Sequence, residues 1–286
     1  MLKRLFICIM VLLQISSCER YIDSDGGNSH LVVEGWIDDG GFPVVILTQS
    51  LPVNSDYVDM ESLGDYIVRW AKVTVSDGTE SVVLTGKYDN GYFPPYIYTT
   101  GNMRGKAGQS YTLTVEYRDF RATAVTTVPA ADMNCTFNVE ACDGTDDLFQ
   151  ITANLEDNSA ERNFYQIFTR TGTAAKQYQA AYMGSIDSSV FDGRADIPVW
   201  RGRRLQDKDY TPFFMADDTV SVKIAKIDEV SFRIWNSYSK NVSFSNNAFL
   251  ASQEDMESNI SGGYGYWCGY GAVVAPIIIR SQANRH

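Results

Sequence analysis

Tyr111-Thr-Leu-Thr-Val-Glu-Tyr-Arg118 decides the architecture, because every odd position is apolar or aromatic and every even one polar. Such alternation marks a strand with one face buried and the other wet. The habit extends outward through Leu31–Ile37, Pro43–Gln49, Ile67–Val75, Ser81–Thr85 and Phe120–Val128. Asp38-Asp-Gly-Gly41 and Asp77-Gly78 supply hairpin turns between runs. Short strands at this spacing predict an immunoglobulin-like β-sandwich over residues 30–129, closed by Pro129.

The remainder, residues 130–286, predicts a second β-rich domain. Its strands are expected at Cys135–Ala141, Leu148–Leu155, Asn163–Arg170, Lys176–Met183, Thr219–Ile227 and Ala272–Ile279. One helix is expected near 229–240, with Asp228 as N-cap and Val230, Ile234, Trp235 and Tyr238 on its apolar side. The fold class is therefore mainly all-β. The glycine-rich run Ser261–Gly271 reads as tight turns leading into the last strand.

The 286 residues carry a formal charge of −11 and two histidines, His30 and His286. That balance argues against nucleic acid as a partner, since phosphate binding needs clustered cations. A histidine-based triad has no candidate but His30, and Cys/His zinc spacing is absent. Neither Gly262-Gly263 nor Gly269-Tyr-Gly271 fits dinucleotide or phosphate-loop spacing. No catalytic residue, metal ligand or cofactor is assigned, although 35 acidic residues leave a glycosidase carboxylate pair open. Asp143, Asp146 and Asp147 read as a solvated turn, and Arg201-Gly-Arg-Arg204 with Lys208 as a charged loop.

The address lies at the start of the chain. Lys3 and Arg4 precede the apolar run Leu5–Ile15, too short to cross a bilayer, which needs roughly 20 residues. Ile15-Ser-Ser-Cys18 follows and resembles the lipobox of bacterial lipoproteins. This predicts a signal peptide over 1–17, lipidation of Cys18, and a flexible tether over 18–29. Processing would leave 22 basic and 35 acidic residues, a net charge of −13.

Three cysteines remain beyond the anchor. Cys135 and Cys142 sit seven steps apart on one expected strand, roughly 23 Å, too far for a disulfide. Pairing of Cys268 with either one stays open.

Several stretches together resemble the Bacteroidota lipoproteins grouped under domain of unknown function 4249. They are Leu31–Ile37, Gly108–Val115, Thr123–Pro129, Asn163-Phe-Tyr165, Phe191-Asp192 and Ser258–Gly265, in the family's order. The family usually has a second tyrosine at position 164 and a longer loop after it. The resemblance implies no catalytic residue. It implies an outer-membrane protein held by its lipid, with genes for TonB-dependent receptors often nearby and thus a receptor as possible partner. The cell surface is preferred over the periplasmic face.

The aromatics are the remaining lead. Tyr88-Asp-Asn-Gly-Tyr-Phe-Pro-Pro-Tyr-Ile-Tyr98 sets rings around two prolines, where no regular strand runs far. Tyr92, Phe93 and Tyr96 are the candidate contacts for a small molecule, sugar, peptide or partner protein. Tyr264, Tyr266, Trp267 and Tyr270 form a second cluster. The competing reading is that both clusters cap the sandwich cores. The expected function is thus an accessory binding protein for ligand capture, with a structural or adhesive surface protein as the alternative and a glycosidase third.

Overall fold

The computed structural model describes residues 30–50, 62–145, 147–157, 161–203, 210–244 and 256–280. The expected signal peptide, Cys18 and the expected tether over 18–29 lie outside the described residues. The fold is mainly β, as the alternation requires.

The first sandwich stacks two sheets. One is built from β3 (Lys72–Ser76), β4 (Ser81–Val83), β7 (Ser110–Tyr117) and β8 (Phe120–Thr127), in the order β4-β3-β7-β8. Facing it are β1 (Leu31–Asp38), β2 (Val44–Gln49), β5 (Thr85–Tyr88) and β6 (Tyr96–Thr99). Alternate residues meet between them: Leu31, Val33 and Ile37 from one sheet against Val73, Leu113 and Val115 from the other. Each such side chain, fully buried, contributes about 1.5–3 kcal/mol. Polar atoms in this core are matched. The Tyr98 hydroxyl donates to the Val68 carbonyl at 2.9 Å and accepts from the Ala71 N–H at 3.0 Å.

Two expected runs differ from what forms. Ser81–Thr85 divides at buried Leu84, because the chain there leaves one sheet for the other. Residues 67–71 stay outside β3; a 3-10 turn at Ser62–Tyr66 and a single bridge from Ile67 to Thr48 occupy this approach. Tyr96–Thr99, read as irregular, is a strand between β5 and β2. Its prolines fall just before it, so no ladder hydrogen bond is lost.

The second sandwich follows. β9 (Asn134–Ala141), β10 (Leu148–Glu156), β13 (Arg194–Val199) and β14 (Phe214–Met215) form one sheet centred on β10. β11 (Phe164–Thr171), β12 (Gln179–Asp187) and β15 (Thr219–Ile227) belong to the other. Phe149, Ile151, Leu155, Tyr165, Val222 and Ile224 fill the space between. Helix α1 (Glu229–Phe244) covers the outer face of the β11 side. Asp228 caps it, accepting from the Ser231 N–H at 2.7 Å. The helix runs four residues past the expected end. Val230 is exposed, and Ser231, Ile234, Trp235 and Tyr238 make the inward face instead.

The glycine-rich run turns at Gly262-Gly263, as expected, and from Tyr264 onward is strand rather than turn. β16 (Tyr264–Ile278) starts inside it and joins the two sandwiches. Residues 264–270 run parallel to β1, and residues 271–278 run antiparallel to β15. An eight-stranded sheet results, in the order β12-β11-β15-β16-β1-β2-β6-β5. The last strand thus completes the first sandwich, and Trp267 lies at its centre with its indole N–H donating to the Tyr111 carbonyl at 2.9 Å. Gly269 and Gly271 sit where the chain crosses from β8 toward β9, and a Cβ on either would strike the backbone of Thr127 or Pro129.

Cys135, Cys142 and Cys268 are free thiols. Cys135 lies against the second core and Cys268 under the helix.

Candidate functional site

The shared sheet has a second face, and its chemistry differs from that of the cores. Along β1 the odd residues enter the first core, while Glu34, Trp36 and Asp38 point the other way. Tyr266 and Tyr270 of β16, Lys223 of β15 and Phe168 of β11 extend the same face. Helix α1 covers one part of it, bringing Trp235. The 89–92 loop of the first sandwich and the 176–178 segment of the second cover another. Between them a cavity of about 500 Å³ stays open, lined by Trp36, Tyr92, Tyr178, Trp235, Tyr266 and Tyr270 among others.

Rings hold one another in place. Trp235 stacks edge-on against Phe168 at 5.1 Å and donates from Nε1 to the Tyr270 hydroxyl at 3.2 Å. Trp36 and Tyr92 lie with planes 34° apart and centroids 6.3 Å apart. Burial raises the phenols of Tyr266 and Tyr270 well above the ordinary range and raises Tyr92 as well, so all three remain protonated donors at neutral pH.

Three lysines and two carboxylates enter the cavity, each lysine beside a carboxylate. Lys223, 3% exposed, donates to Asp38 and faces the ring of Tyr270 at 4.5 Å. Burial lowers the Lys223 ammonium below the ordinary lysine range, and Asp38 opposes that shift. At the rim, Asp89 accepts from the Lys176 ammonium at 2.8 and 3.1 Å, and Lys87 approaches it at 3.9 Å. The hydrogen bond from Lys176 holds the Asp89 carboxyl below the ordinary range. The same segment is latched by backbone: the N–H groups of Lys176 and Gln177 donate to the Gly91 carbonyl, and Phe93 N–H donates to Gln177 Oε1.

The expected contact residues are therefore split. Tyr92 lines the cavity. Phe93 contributes its N–H to the latch. Tyr96 packs on the first core, its hydroxyl donating to the Arg69 carbonyl and filling the space above Gly86. Of the second cluster, Tyr266 and Tyr270 face the cavity, while Trp267 belongs to the core.

Sequence reasoning passed over Trp36, Asp38, Lys223, Phe168 and Tyr178. A partial signal existed for Lys223, a cation set inside the largely apolar run Val220–Ile227, which also carries Lys226. Asp146, Arg204 and Lys208 lie outside the described residues. Among the described residues no group of three His, Cys, Asp or Glu side chains is placed to hold a metal ion. A second, polar depression of about 370 Å³ adjoins Thr169, Gln179, Arg201 and Asp217. It lacks aromatic lining.

Glu34 sits on this face beside Tyr238 and Tyr266, partly buried, and burial pushes its carboxyl from 4.5 up to about 7. The unfolded chain releases that proton near pH 4.5 while the folded one keeps it, so stability falls as pH rises from 4.5 to 7. Glu34→Gln mimics the protonated form. It is expected to flatten this slope and to add about 2–3 kcal/mol at pH 8 in urea denaturation. A slope that survives in the variant would assign the titration to another group.

The family model described as Domain of unknown function (DUF4249) matches residues 19–273. No curated protein matches the chain.

Proposed function

The chain belongs to the DUF4249 family, and from that premise we propose that it is a binding protein of the Bacteroidota outer membrane, anchored through lipid on Cys18. In this reading it captures a small ligand for a TonB-dependent receptor. The aromatic cavity between the two sandwiches carries the proposal. A concave site, ring-lined with a few placed polar groups, is the common form of a small-molecule site. An adhesive role would be served by exposed faces and loops and gives no reason for a concave, ring-lined cavity. Hydrolysis of a glycoside needs one carboxylic acid that keeps its proton near neutrality. Among the described residues the two carboxylates lining the cavity, Asp38 and Asp89, are engaged by lysines, and Glu34, which keeps its proton up to about pH 7, lies on the same face but outside that lining.

Mass spectrometry tests the cavity. Full-length protein purified from its own membranes should release a small molecule that Trp36→Ala and Tyr92→Ala proteins do not retain. Equal recovery from wild type and both variants would end the cavity reading. Cross-linking in intact outer membranes should capture the receptor.

The anchor has its own test. Alkyne fatty-acid labelling should mark the wild type and leave Cys18→Ala unlabelled, with the variant lost from the membrane fraction. Two or more acyl chains give stable anchoring, each buried methylene contributing about 0.8 kcal/mol. Equal labelling of both proteins would refute lipidation at Cys18.

A further inference from the structure

We infer that the cavity takes a neutral saccharide unit, its ring lying against the aromatic side chains and its hydroxyls bridging the lysine–carboxylate pairs. The inference rests on the cavity being the ligand site proposed above, and it names the ligand's class.

The charge arrangement carries it. Three lysines line the cavity, and each has a carboxylate oxygen within 4 Å: Lys223 on Asp38, Lys176 and Lys87 on Asp89. A ligand carboxylate drawn to Lys223 would have to compete with Asp38 and leave it without its partner, and one drawn to Lys176 or Lys87 would meet the like charge of Asp89 beside them. A ligand cation would strand a lysine in the same way. Leaving a buried charge uncompensated is costly, and of the three ammonium groups Lys223 is the buried one. A hydroxyl avoids the conflict, because it donates to a carboxylate oxygen while accepting from an ammonium or phenol. Each pair then stays intact and gains charge-assisted hydrogen bonds.

Ring chemistry points the same way. A purely apolar ligand would cover Asp38, Asp89 and the tyrosine hydroxyls without satisfying them. A saccharide presents apolar C–H faces to rings and hydroxyls at its edge. Trp36 and Tyr92 are half-buried at the sheet face, their tilted planes open to such a face. Trp235 and Tyr270 are locked behind by their mutual hydrogen bond. The volume, about 500 Å³, lies within the range of small-ligand sites.

Full-length protein in detergent, applied to an array of neutral and acidic oligosaccharides, tests the class, with 3-phenylpropionate titrated in parallel as an aromatic acid. The expected result is binding to at least one neutral glycan. Its affinity should change less than about twofold between about 50 and 500 mM salt, since no net charge is exchanged. Trp36→Ala and Tyr92→Ala should each weaken it at least about tenfold, with circular dichroism confirming that both are folded. Should Trp36→Ala unfold, Tyr92→Ala and Lys87→Ala decide. Binding to acidic glycans or phenylpropionate alone, lost in the same variants, would overturn the neutral class and leave the cavity as the site. Binding to no glycan would also overturn the class, and the small molecule recovered from native membranes would judge the cavity separately.

Discussion

Gly265→Ala is expected to lose about 3–5 kcal/mol of stability, against a total of about 5–15 kcal/mol for a typical fold. Gly265 adopts φ +109°, a conformation L side chains rarely hold, and a Cβ there would overlap the Val33 carbonyl oxygen on β1. Backbone strain of this kind costs about 1–3 kcal/mol. Forcing atoms into a packed site costs about 1–3 kcal/mol more. The obstacle is backbone, so no rotamer change relieves it. Both sandwiches should unfold together, because β16 pairs with β1 of the first and β15 of the second in one shared sheet. Gly64→Ala is the control: φ there is ordinary and a Cβ would meet nothing within 4 Å, so its effect should stay within about 0.5 kcal/mol. Urea denaturation reads both. A Gly265→Ala protein as stable as wild type would mean that residues 264–270 do not run beside β1.

The same strand shows what the sequence could and could not disclose. Alternation in Tyr111–Arg118 and Leu148–Leu155 reports one-sided burial directly, and both strands form as expected. Thr219–Ile227 was legible as a strand to the residue. Partnering between distant strands leaves no such mark. Tyr264–Tyr270 pairs with Val32–Asp38 across more than 200 residues, and its glycines serve close approach of backbone rather than turning. A boundary at Pro129 follows the chain and divides the two sandwiches in sequence. It could not reveal that one end of the chain returns to the other. For the site, the loop around Tyr92 was readable as an aromatic cluster. The partners that turn it into a cavity come from β1, β11, β15, β16 and α1. Trp36 looked like an ordinary outward position of an alternating strand, and Asp38 like the first residue of a hairpin turn. Only the helix and the 176–178 segment, laid over that face by the fold, make them a lining.

Asp38→Ala is expected to destabilise by about 3 kcal/mol at pH 7. Removing one partner of a buried pair typically costs about 3–5 kcal/mol, because the charge left behind has lost its compensation. The low end applies here, since Asp38 is itself 35% exposed and the Tyr270 ring still faces the ammonium. The penalty should depend on pH in a defined direction. Burial already lowers the Lys223 ammonium, and Asp38 is the group that opposes the shift. Without it, the unfolded chain binds a proton below about pH 10.4 that the folded chain resists, so stability rises with pH. The deficit measured at pH 7 should therefore narrow toward pH 10, as the folded chain loses the charge that the variant leaves stranded. Converting the survivor as well, in Asp38→Ala/Lys223→Met, removes the stranded charge and should recover most of the loss, since an apolar side chain suits a position between Phe168 and Tyr270. Equal deficits at pH 7 and pH 10, or no recovery in the double variant, would show that the Asp38 carboxylate does not sustain a buried cation. The lysine–carboxylate pairing on which ligand selection rests would then lose its deepest member.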